Sequence, residues 1–138
     1  MTAFVPTTTA GVLLTNARSR AVIARDVEVA VTRAERRRGL LKRTSLPADS
    51  ALVLAPCFAV HTAFMRFAID VVFVDRAGYV RHIVRGLQPW RIASSRGAYA
   101  TIELPAGALD SLDLVLGDRL CLGVSMSMKL AKTDALSN

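Results

Sequence analysis

Apolar and polar positions alternate with a period of two along much of the chain. Residues 11–15 (GVLLT) and 22–31 (VIARDVEVAV) read as strands joined by the polar turn NARSR; in the second, Val27, Val29 and Val31 alternate with Glu28 and Ala30. At Thr32 the period changes. The stretch TRAE is a capping box, in which Thr32 can accept from the amide of Glu35 while Glu35 reaches back to Thr32, so a short helix is expected from Arg33. Gly39 falls where that helix ends, and Pro47 with Asp49 marks the following loop.

Further along, ALVLA (51–55) is an apolar strand stopped by Pro56. IDVVFVD and YVRHIV form the arms of a hairpin around the turn DRAG, with Asp75 at the first turn position and Gly78 at the last. IDVVFV is apolar on both alternating sets apart from Asp70, which predicts an interior strand covered on both faces and a partner for Asp70. A polar loop through Gln88, Pro89, Trp90, Ser94, Ser95 and Gly97 leads to the strand AYATIEL, then to a short helix after Pro105 and Gly107, and finally to the strand RLCLGVSM. Many short strands and two short helices predict an all-β protein, a compact barrel or jelly-roll-like sandwich. One domain over residues 1–138 is expected, with its core in 11–126 and a frayed tail over 128–138.

Composition narrows the class. A chain of 138 residues that is 52% hydrophobic can build a core without disulfides or metal, and 21% charged residues exclude a disordered class. Cys57 and Cys121 lie far apart with no CxxC, so reduced thiols are expected. The first twenty residues lack a basic region before their weakly apolar part, and no apolar run is long enough for a spanning helix; both point to a cytoplasmic protein. Of the net charge of +7, most lies between Asn16 and Arg43, where nine basic residues face three acidic ones. Such a patch, Arg33 to Arg43 above all, attracts phosphates or nucleic acid. Without an aromatic residue to stack bases, it reads first as a solvated face.

Candidate chemistry concentrates in CFAVHTAFMRFAID. Cys57, His61 and Met65 are spaced four apart and carry the soft donors that suit Cu(I) and, less well, Zn(II). On a straight strand residues four apart are separated by about 13 Å, so a metal site requires the chain to kink; the expectation is no cofactor, with Cu or Zn as the alternative. His61 and Asp70 could form an acid/base dyad with Ser94, Ser95 or Cys57 as nucleophile, although no nucleophile elbow is present. The blander reading gives Asp70 backbone amides or Arg66 as its partner. In PWR, Trp90 and Arg91 offer a stacking plane and an anion fork, or an anchor for their loop.

The order RRRGLLKRTSLP, then HTAFMRFAIDVVFVDRAGYV, then ELPAG and GD resembles domain of unknown function family 192, small all-β proteins of bacteria and archaea. The resemblance runs from about Val27 to Leu122 and implies a barrel or jelly-roll-like fold with no established catalytic activity. The chain looks like the subgroup with Cys57, His61-Thr62, Met65 and Pro89-Trp90-Arg91 signatures. It departs from the common pattern around Met65, where Ala63-Phe64 and Arg66-Phe67-Ala68 replace an aromatic pair, Lys-Asn-Thr and a proline. These readings combine into a non-enzymatic binding or accessory domain in which His61, Thr62, Met65, Arg66 and Asp70 line a groove near Trp90 and Arg91. A small anionic ligand or a protein partner is expected there; a His/Asp hydrolase-like or soft-metal protein is the alternative, and nucleic-acid binding through the basic patch the third.

Overall fold

In the computed structural model of the protein, which describes residues 11–40 and 43–124, ten strands form three sheets. A three-stranded sheet has the order β10-β1-β2, from β1 (Val12–Asn16), β2 (Val22–Ala24) and β10 (Leu120–Val124). A five-stranded sheet has the order β3-β4-β9-β6-β7, from β3 (Asp26–Ala30), β4 (Ser50–Leu54), β6 (Ile69–Val74), β7 (Val80–Leu87) and β9 (Ala100–Pro105). The two short strands β5 (Ala59–His61) and β8 (Ile92–Ser94) pair with each other. The mainly β expectation therefore holds. A closed barrel is not formed, because the described strands make separate open sheets.

The segment read as one strand over residues 22–31 is two strands in different sheets. The amides of Arg25 and Asp26 both donate to the carbonyl of Asp49 at 3.0 Å, which draws the chain out of the first sheet and into the second. There β3 pairs with β4 in parallel, and α1 (Arg33–Arg38) lies in the crossover between them.

β6 lies between β9 and β7, and all six of its residues are buried, as its two-sided apolar pattern predicts. Val72 and Val74 face a core completed by Val12, Leu14, Val53, Ile102 and Leu104. Ile69, Val71 and Phe73 face the opposite core, with Leu52, Leu54, Leu40, Val60 and Met65. A slip of one residue would exchange the two sets and carry Asp70 to the wrong face, so the register is strongly specified. The hairpin forms as read: Gly78 at φ 94° donates its amide to the Asp75 carbonyl at 3.0 Å, while the Asp75 carboxylate accepts from Ala77 and Tyr79.

The capping box forms as well. Thr32 Oγ1 accepts from the Glu35 amide at 3.1 Å, and Glu35 Oε1 accepts from the Thr32 amide at 3.2 Å; hydrogen bonding of the carboxyl to the Thr32 side chain and amide holds it below its ordinary value. Gly39, at φ 40°, closes the helix by donating to the Glu35 carbonyl. No residue of α1 is buried, so the helix is held by its ends, with Leu40 as the apolar anchor just beyond. Arg36, Arg37 and Arg38 fill its last turn, where the helix dipole favours cations.

The second expected helix is absent from the described residues. After Pro105 the chain runs through successive turns, in which the amides of Ala108, Asp110 and Leu112 donate to the carbonyls three residues back while those of Gly107 and Leu109 donate to the Asp70 carboxylate. Gly107 also stands at φ 88°, outside helical space. The tail at 128–138 lies outside the described residues.

Candidate functional site

Asp70 is fully buried, and both carboxylate oxygens are engaged. Oδ1 accepts from the Gly86 amide at 2.8 Å, and Oδ2 from Gly107 and Leu109 at 3.1 and 3.2 Å. The residue ties β6 to β7 and to the loop after β9, which is the backbone-amide role its position allows. Asp70 projects from the face of the sheet that carries Val72 and Leu104, whereas His61 is exposed on β5, in the layer that covers the opposite face. The acid/base dyad is not formed, and Arg66 is exposed and makes no ion pair with Asp70.

Thr62 is a brace rather than a ligand contact. Its buried hydroxyl donates to the Gln88 carbonyl at 2.6 Å and accepts from the Arg91 amide at 2.8 Å, clamping the 88–91 loop to the turn at 62–65. Beyond this clamp Trp90 and Phe64 stand out into solvent, 60% and 72% exposed, with ring centroids 4.6 Å apart. Both have φ 65°, a left-handed conformation uncommon for aromatic residues. Trp90 therefore does not anchor its loop to a core. Arg91 donates to the Trp90 carbonyl at 3.2 Å and is otherwise exposed.

A different concavity gathers the remaining candidates. A cavity of about 280 Å³ opens between α1 and the segment leading into β5. Cys57, His61 and Met65 all line it, because the turn closed by the Met65 amide on the Thr62 carbonyl folds the chain back after β5. The kink that a shared site requires is present. Among the described residues, however, no three His, Cys, Asp or Glu side chains are close enough to hold a metal ion, and the Cys57 thiol donates to the Ala59 carbonyl at 3.2 Å. The rest of the wall is strongly cationic: Arg33, Arg36, Arg37 and Arg38 line the cavity, and among the described residues none of the four forms an ion pair. Arg36 donates to the Val31 carbonyl at 2.6 Å. This charge opposes a bound cation and favours an anion.

The buried part of the lining holds Leu40, Leu54, Val60, Met65 and one acid, Glu103. Glu103 lies in β9, the central strand of the five-stranded sheet, directly across from Leu52 on β4 and Val71 on β6. It is 5% exposed, and its Oε2 has no hydrogen-bond partner among the described residues. Burial pushes its carboxyl up to about 7, against the opposing charge of Arg43. Sequence reasoning passed over this residue, yet a signal was present. In a strand whose Ile102 and Leu104 are both buried, the residue between them enters the opposite core.

The other motif acid is structural. Asp118, next to Gly117 at φ 89°, accepts from Arg18, from Asn16 at 2.9 Å and from the Val115 amide at 3.0 Å; the Arg18 guanidinium holds its carboxyl well below the usual range.

The family model DUF192, Uncharacterized ACR, matches residues 13–122. A UPF0127 protein of Pyrococcus furiosus is 40% identical over 63 residues, 45% of this chain and 53% of that protein. A UPF0127 protein of Thermococcus sibiricus is 32% identical over 103 residues, 68% of this chain and 64% of that one, so the chain spans less than two thirds of either relative. Among solved structures, a Sinorhizobium meliloti 1021 protein described as a candidate transcription regulator superposes with a TM-score of 0.67 at 27% identity, covering 79% of this chain and 89% of its own. A protein of unknown function from Novosphingobium aromaticivorans gives 0.68 at 23% identity, covering 87% and 92%, a likeness of fold alone.

Proposed function

Because the chain belongs to the uncharacterised family DUF192, its function rests on its own geometry, and we propose that it is a non-enzymatic binding domain for a small anionic ligand held between α1 and β5. The observation that carries this reading is the set of four arginines around one cavity, none of them ion-paired among the described residues. Guanidinium groups in such a cluster recognise carboxylate, sulfate or phosphate oxygens through paired N–H donors. The segments that carry the family resemblance also meet here, since Gly39 and Leu40, Met65 and Glu103 all line the cavity. The proposed site does not include the exposed Arg66, Trp90 and Arg91, through which the sequence reading had a ligand engaged.

Nucleic-acid binding is the weaker reading of the same arginines. A cavity of about 280 Å³ takes an ion or a small molecule, and no Phe, Tyr or Trp among the described residues lines it to stack a base. A cytoplasmic location belongs to this proposal; it is supported by the free thiols of Cys57 and Cys121. No helix among the described residues is long and apolar enough to cross a membrane.

Titration with inorganic sulfate and phosphate, followed by amide chemical shifts, tests the proposal. Saturable shifts are expected around Arg36, Arg37 and His61, weakening with added salt and at least tenfold weaker in Arg36→Glu/Arg37→Glu. Equal affinity in that variant, or tighter binding of a DNA duplex than of either anion, overturns it.

A further inference from the structure

The arginines account for only half of the cavity's chemistry. Every guanidinium donates and none accepts, so a fully ionised oxyanion such as a sulfate or carboxylate is satisfied by the arginines and, having no hydrogen to give, offers nothing to a carboxylate. Glu103 is the one acidic side chain among the described lining residues. It lies on the central strand with buried Leu52 and Val71 as cross-strand neighbours, a position where an apolar side chain would pack. Its Oε2 is left without a partner among the described residues, although buried polar atoms are with few exceptions paired. The charged and titratable groups around it are the four arginines of α1, Cys57 and His61 in the lining, and Arg43, which pairs with Glu28.

We infer that the ligand is a small zwitterion, with its oxyanion at the arginines and an ammonium group donating to Glu103. The inference rests on the anion reading above and adds the second pole. It also accounts for two opposite charges in one cavity: Arg33, Arg36, Arg37 and Arg38 are on the exposed helix, while Glu103 is in the buried part of the lining. The ligand thus enters with its cationic end inward.

Two probes of equal length isolate the second pole. 3-Aminopropane-1-sulfonate and butane-1-sulfonate share a sulfonate whose charge does not change near neutral pH, and they differ in an ammonium against a methyl group. Affinities measured by calorimetry at pH 8 are expected to favour the aminosulfonate at least tenfold in the native chain. In Glu103→Gln, which keeps the side chain's shape, the two should agree within about twofold. The native-chain comparison decides the matter even if that variant fails to fold. Equal affinities in the native chain overturn the zwitterion inference and leave the anion reading standing. Tighter butanesulfonate binding that weakens as pH rises through 7 overturns it too, by making Glu103 a protonated donor to the anion. Failure of both probes to bind removes the anion reading, and this inference with it.

Discussion

Replacing Glu103 by Gln should change how stability depends on pH. The Glu103 carboxyl has an ordinary value of 4.5 and is pushed up to about 7 in the folded chain, because burial among apolar side chains penalises its charged form. A group whose value is raised on folding favours the folded state while protonated. Its contribution is complete below pH 4.5, declines as pH rises from 4.5 to about 7, and is lost above that. At about 1.4 kcal/mol per pH unit, the interval amounts to about 3 kcal/mol. Glutamine cannot ionise, so whatever its amide costs in this position is the same at every pH. Urea unfolding followed by circular dichroism at pH 4.5, 6 and 8 should show the variant gaining about 3 kcal/mol on the native chain across that range. The other titrating groups are common to both chains and cancel. Arg43→Met, which removes the cation opposing the shift, should steepen the native chain's decline. A difference between Glu103→Gln and native chain that stays flat within about 0.5 kcal/mol would show that Glu103 is hydrated or paired, and would refute the reasoning.

Asp70→Ala should lower stability by at least about 3 kcal/mol, measured by urea unfolding, because it strips the amides of Gly86, Gly107 and Leu109 of a charged acceptor; a loss below about 1 kcal/mol would mean that water replaces the carboxylate. Thr32→Ala should cost about 1 kcal/mol by removing the N-cap of α1, and should weaken sulfate binding severalfold as the helix carrying the arginines frays; unchanged sulfate affinity would place the anion elsewhere.

Elements whose local chemistry and tertiary position agree could be read from the sequence. The capping box at Thr32, the Asp75–Gly78 turn and the two-sided apolar strand around Phe73 are set by neighbours in the chain, and each forms as expected. Expectations failed where a distant residue took over a backbone group. The Asp49 carbonyl, more than twenty residues away, divides the segment 22–31, and the Asp70 carboxylate holds the amide of Gly107, whose φ of 88° takes the chain after Pro105 out of helical space. The site was legible in its parts. Cys57, His61 and Met65 were grouped by their spacing and line one cavity, and the arginines were noted as a charge excess, but nothing in linear spacing brings α1 over the face of β9. Trp90 was weighted for its type, whereas the clamp by Thr62 turns it and Phe64 away from any core.

The parallel pairing of β3 with β4 gives the cavity an unusual assembly history. Residues 33–40 reach it by the crossover, residues 57–65 follow β4, and Glu103 arrives on a strand that inserts between β4 and β6 from far along the chain. No local fragment contains all three walls, so the contacts that close the cavity have large sequence separation and form only once the whole sheet is in place. An occupant would therefore act as a non-covalent cross-link among remote segments and would bind the native chain but not the unfolded one. By mass action its presence raises the unfolding temperature with concentration. A thermal-shift survey of small zwitterions therefore tests the proposed site directly, since only the finished sheet can report binding there.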